Sequence, residues 1–112
     1  MHVGDNQELL DELANLFLEN YEAWMSGIEA AVTSRDFEQL AERAHSLKSA
    51  VGNLAARKAF EAALNLETAG RQGDPDGAQA RWMQLVEEIN KLSSGLESFV
   101  KERHHARAHR RG

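Results

Sequence analysis

Apolar residues recur along this chain with the 3.6-residue period of an α-helix, in four separate stripes. The first runs Leu10, Leu13, Phe17, Tyr21, Trp24, Ile28, Ala31. The second, Phe37, Leu40, Ala44, Leu47, Val51, Leu54, alternates strictly in steps of three and four. The third is weaker, with Ala56, Ala59, Phe60, Ala63 and Leu66. The fourth, Ala78, Trp82, Leu85, Ile89, Leu92, Leu96, Phe99, is again strict. Nothing shows the period-2 alternation of a strand.

Polar and special residues punctuate these stripes. Asp5 followed by Glu8 resembles a capping box and predicts the start of the first helix. A helix over 6–32 would be ~40 Å long, which leaves room for a break near Asn20 or Gly27. Ser34 or Asp36 can cap the second helix. Between the third and fourth stripes lies Gly70-Arg71-Gln72-Gly73-Asp74-Pro75-Asp76-Gly77, the clearest boundary in the chain. Glycine ends a helix at little cost, Asp74 can cap the next, and Pro75 suits its first turn. The pattern predicts an all-α, antiparallel up-down four-helix bundle over residues 1–100, with room for a break in its N-terminal helix.

At 112 residues the chain suits one domain, and it can bury a real core without staples. It has no cysteine, which excludes disulfides and thiolate metal sites. No apolar run approaches the ~18–20 residues needed to cross a bilayer, and the N-terminus lacks the apolar stretch of a signal peptide. Membrane insertion by this segment is therefore not expected, and a cytoplasmic setting fits. Charge is unevenly spread. Residues 1–100 hold 17 acidic and 8 basic side chains, whereas 101–112 hold five basic ones against Glu102. A body this acidic is not a nucleic-acid binder, because such affinity comes mainly from neutralising phosphates. The basic, histidine-rich segment 101–112 is expected to be a disordered or frayed tail.

The second stripe carries the candidate chemistry. At ~100° per residue, His45 lies about 130° from the centre of that stripe, outside the buried face. Its helical neighbours are Ala41, Glu42, Lys48, Ser49 and Gly52. Most are small, so a partner could approach the imidazole closely. An ordinary imidazole is largely neutral near pH 7, and one ring nitrogen keeps a lone pair able to attack an activated phosphoryl group. The Lys48 ammonium, one turn on, would offset part of the charge such a group brings. Glu42 could accept a hydrogen bond from the other ring nitrogen and fix the tautomer. Gly52 costs about 1 kcal/mol relative to alanine inside a helix. Access to His45, a close helix contact or the end of the helix near Asn53 would each account for it.

The run Ala44-His45-Ser46-Leu47-Lys48-Ser49-Ala50-Val51-Gly52-Asn53-Leu54-Ala55-Ala56, continued by Leu64, Leu66-Glu67 and Gly73-Asp74, resembles the histidine-containing phosphotransfer (HPt) domain. That family's motif is approximately Ala-His-x-Leu-Lys-Gly, then small residues, Asn-Leu-Gly-Ala, and a Leu-Glu on the next helix. The resemblance implies that His45 accepts a phosphoryl group from a receiver-domain aspartate and yields it to another receiver. It implies Lys48 as the charge-neutralising lysine and Gly52 as the small residue beside the imidazole. Ala41, Glu42, Ser49 and Gly52 would flank the docked partner. The domain would bind no cofactor of its own and catalyse nothing alone, the receiver supplying the acidic pocket and its Mg²⁺. It would be a stand-alone, monomeric protein or the C-terminal domain of a hybrid sensor histidine kinase. Ser49 and Ala55 depart from the motif, each standing where glycine is usual; both are small and better helix formers, so docking is expected to survive.

Other classes fit less well. Glu42-x-x-His45 has the spacing of di-iron bundles, but the only other such pair is Glu102 with His105, and no apolar stripe contains an inward carboxylate. A helical adapter in which His45 does nothing predicts that His45→Gln is silent. A chemotaxis-kinase-type histidine domain, phosphorylated from ATP by a separate domain, is the nearest variant of the phosphotransfer reading. An enzyme lacks support, since there is no glycine-rich phosphate loop and no room for an ATP-binding domain.

Overall fold

Each apolar stripe has become one helix: α1 (Val3–Ser34), α2 (Phe37–Gly52), α3 (Arg57–Gln72) and α4 (Pro75–Arg111). The computed structural model describes the backbone of residues 3–111 and the side chains of 8–102. Among the described residues there is no strand. Successive helices pack on one another and α4 closes on α1, so the four run in a ring around the core. The result is an all-α four-helix bundle with a common core. Ile28, Leu40, Leu47, Val51, Leu66, Leu85 and Ile89 are its largest fully buried side chains, drawn from all four stripes.

The turns follow their residue chemistry. Asp36 caps α2, its carboxylate accepting the Gln39 N–H at 3.2 Å. Gly73 ends α3 in the left-handed conformation (φ 63°), its N–H donating to Gly70 O at 3.1 Å. Asp74 then accepts the Gly77 N–H at 3.1 Å, and Pro75 opens α4.

Three expectations are corrected. The first helix is continuous. Asn20 stays within it by donating from its side chain to Leu16 O, at 2.7 Å. Gly27 is a packing site and not a break, because a Cβ there would lie 2.6 Å from Nη1 of Arg43 on α2. Helix α1 also begins at Val3, before the expected capping box, whose Asp5 side chain lies outside the described residues. Finally, α4 continues as helix to Arg111 through the segment expected as a tail. No glycine or proline interrupts 96–111, and Glu, Lys, Arg and Ala favour helix. Helices α1 and α4 thus outrun α2 and α3, giving a molecule 55 × 25 × 18 Å.

Candidate functional site

Helices α2 and α3 approach closely where small residues face each other. A Cβ on Gly70 would lie 3.0 Å from the backbone N of Ala41 and 3.3 Å from Phe37 O, so only glycine fits there without a shift. This contact buries Ala41, which is 5% exposed, and corrects its expected place on the open flank. Helical phase gives the angle of Ala41 from the core but not that α3 covers it. Ala41 still lines the floor of a surface cleft, with Phe37, Glu42, Gly70 and Arg71 around it.

One turn beyond that contact, α3 places a carboxylate beneath His45. The imidazole is half exposed (54%), while the Glu67 side chain is only 7% exposed. His45 Nδ1 lies 3.2 Å from Glu67 Oε2. The partner expected at that nitrogen was Glu42; Glu42 is exposed, and Glu67 makes the bond from across the seam. Arg71 donates to the same Oε2 from Nη2 (2.6 Å) and Nε (3.1 Å). Lys48 Nζ pairs with Oε1 at 2.9 Å, within reach of a charge-assisted hydrogen bond. The Lys48 ammonium also sits over the Phe60 ring, 5.9 Å from its centroid.

Burial pushes the Glu67 carboxyl up, but Lys48, Arg71 and His45 together outweigh it and bring it from 4.5 to about 2. Glu67 is thus ionised at neutral pH and can only accept hydrogen bonds. It follows that Nδ1 of His45 carries the proton, and the lone pair of the neutral ring resides on Nε2. With a neutral imidazole, Glu67, Lys48 and Arg71 leave this cluster a net charge of +1.

The remaining expected residues fall around this cluster. Ser49 is exposed on α2, and its carbonyl accepts the Asn53 N–H at 3.2 Å. Gly52 is the last residue of α2, also exposed, and a Cβ there would meet Phe60 Cδ2 at 3.4 Å, an ordinary contact. Phe60 and Leu64 of α3 are large apolar residues left 36% and 39% exposed on the same face. Glu67 also corrects the expectation that no carboxylate points inward. Even so, among the described residues no group of three or more His, Cys, Asp or Glu could hold a metal, and His105 lies outside the described side chains.

The Hpt domain family model matches residues 12–95, three quarters of the chain, including every residue of this cluster. The chain belongs to the Hpt domain family. No curated protein and no solved structure gives a significant match. Hpt domains are phosphotransfer modules rather than catalysts, and membership gives this bundle a phosphotransfer role in two-component signalling. No helix among the described residues is long and apolar enough to cross a membrane.

Glu67 and Arg71 are the functional candidates that residue-by-residue reading did not single out. A signal existed in part: Glu67 directly follows Leu66 of the third stripe and precedes Arg71 by four, so it sits at the stripe's edge with a cation one turn on. Its partnership with His45 spans 22 positions, which no local pattern encodes.

Proposed function

We propose that this Hpt domain is a phosphorelay intermediate in which Nε2 of His45 accepts a phosphoryl group from a receiver-domain aspartate and passes it to a second receiver. The observation that carries this reading is the ionised, buried Glu67 holding Nδ1 of a half-exposed imidazole, because it leaves Nε2 as the free nucleophile. The Nε2 lone pair attacks phosphorus and the bond from phosphorus to the aspartyl oxygen breaks, the carboxylate leaving with its electron pair. Both ring nitrogens are then substituted and the imidazole carries a formal positive charge, which faces the Glu67 carboxylate. Attack by a second aspartate reverses these steps.

Lys48 and Arg71 supply positive charge beside an incoming group that brings close to two negative charges. The receiver contributes the acidic pocket and Mg²⁺. It docks over His45, Ser49 and Gly52, with the exposed Phe60 and Leu64 extending the apolar part of that surface and Glu42 at its polar edge. Ser49 is positioned at the rim, where its hydroxyl can donate to a phosphoryl oxygen. The setting is cytoplasmic, as a stand-alone monomer or as the C-terminal domain of a hybrid sensor histidine kinase.

The test is incubation with phosphorylated receivers and Mg²⁺, comparing wild type with His45→Gln. Acid-labile, alkali-stable label on wild type alone is expected. Label on both proteins, or on neither across several receivers, overturns the assignment and favours a helical adapter.

A further inference from the structure

Three donors crowd a single oxygen at the rim of the α2–α3 seam. Glu67 Oε2 meets His45 Nδ1 at 3.2 Å, Arg71 Nε at 3.1 Å and Arg71 Nη2 at 2.6 Å, whereas Oε1 meets only Lys48 at 2.9 Å. Arg71 reaches Oε2 from within α3, four residues on, where helical spacing presets the contact. His45 reaches it from across the seam and makes the longest of the three bonds. A forked, charged guanidinium is the strongest donor a carboxylate meets in a protein. It draws electron density at Oε2 away from the imidazole.

We propose that Arg71 is a positioning residue that limits how strongly Glu67 holds His45, by claiming the oxygen the imidazole must share. This rests on the reading of His45 as the phosphoryl acceptor and deepens it. A carboxylate directed wholly at Nδ1–H would stabilise the imidazolium, in which Nε2 is protonated and cannot attack. Arg71 keeps more of the ring in its nucleophilic form near neutral pH. The same restraint applies after transfer, when the phosphorylated ring is positively charged: a looser hold by Glu67 leaves the phosphoryl group easier to pass on. The other charged groups facing His45 are Glu42 and Lys48 of α2 and Glu67 of α3.

The experiment is an NMR titration of the His45 ring in wild type, Arg71→Gln, Arg71→Lys, Glu67→Gln and the Glu67→Gln/Arg71→Gln double variant. Arg71 is 61% exposed, so its removal leaves the core intact. Arg71→Gln is expected to shift the His45 protonation equilibrium roughly three- to tenfold toward the imidazolium. Arg71→Lys, with charge but no fork, should fall between it and wild type. In the Glu67→Gln background the effect of Arg71→Gln should largely vanish, because its route through Oε2 is gone. An unchanged or opposite shift, or an equal shift with and without Glu67, overturns the proposal. The titration needs no phosphoryl transfer, so it is read independently of whether His45 takes label from a receiver.

Discussion

The two long sides of the bundle are built from opposite materials. On the α2–α3 side, small residues bring the backbones together at Ala41 and Gly70, and a carboxylate with two cations lies just beyond. The α1–α4 side instead carries large side chains, several of them aromatic. Within α1, Phe17 stacks on Tyr21 at 5.4 Å and meets Trp24 edge-on at 5.9 Å, and an open groove lined by Tyr21, Met25, Trp82, Met83 and Val86 runs between α1 and α4. The close seam does what a loose one could not. It fixes a side chain of α3 within hydrogen-bond reach of a side chain of α2, which the imidazole needs for a defined tautomer. The aromatic side contributes buried area and tolerates open space at its surface. Substitutions on the two sides should therefore fail in different ways.

The largest effect is expected on the aromatic side. Phe17 is 2% exposed, and truncating such a residue to alanine typically costs about 3–5 kcal/mol. Phe17→Ala should lower the urea midpoint strongly while leaving phosphoryl acceptance per folded molecule near wild type. A proportionate loss of acceptance at full folding would show that the two sides are coupled after all.

The seam should reveal itself through pH. Glu67 has its carboxyl at about 2 in the fold, against an ordinary 4.5. A depressed carboxyl stabilises the native state above its unfolded value and loses that contribution as pH falls through the folded one. The contribution is on the order of 3 kcal/mol, present above about pH 4.5 and lost toward pH 2. Urea midpoints at pH 7 and pH 3 should therefore converge in Glu67→Gln relative to wild type. Equal acid sensitivity in both proteins would place its source in other carboxylates.

Much of this architecture is legible in the residues themselves. The second and fourth stripes are strong because Leu40, Leu47, Leu85 and Ile89 recur at helical spacing, and the exposure of His45 follows from the phase of the second. What local pattern cannot supply is lateral: which flank a neighbouring helix covers. Ala41 and His45 are both off the centre of the α2 stripe, yet α3 buries the first and leaves the second half open. Glu67 illustrates the converse, a charged residue that reads as surface until two cations and an imidazole from another turn and another helix are brought to it. The continuity of α1 was hidden for a similar reason, since the packing of Gly27 against the Arg43 side chain of α2 shows in no local pattern.

The smallest effect concerns the connection between the two helices of the seam. Ala55 lies in the turn between α2 and α3 with φ 56°, in the left-handed region. Its replacement of the usual glycine looked harmless from sequence because alanine is the better helix former. Helix propensity is irrelevant here, since the residue is outside both helices and its Cβ is in conflict with the conformation the turn demands. The left-handed conformation costs a non-glycine residue roughly 1–2 kcal/mol, and glycine loses about 0.5–1 kcal/mol more backbone entropy on folding. The difference favours Ala55→Gly by about 0.5–1 kcal/mol, read as a raised urea midpoint with an unchanged slope. Because the exchange relieves strain without moving Gly70 or Ala41, the His45–Glu67 bond should be undisturbed and phosphoryl acceptance unchanged. A stabilised variant with altered acceptance would mean that the strained turn, and not the small-residue contact alone, holds the carboxylate beneath the imidazole.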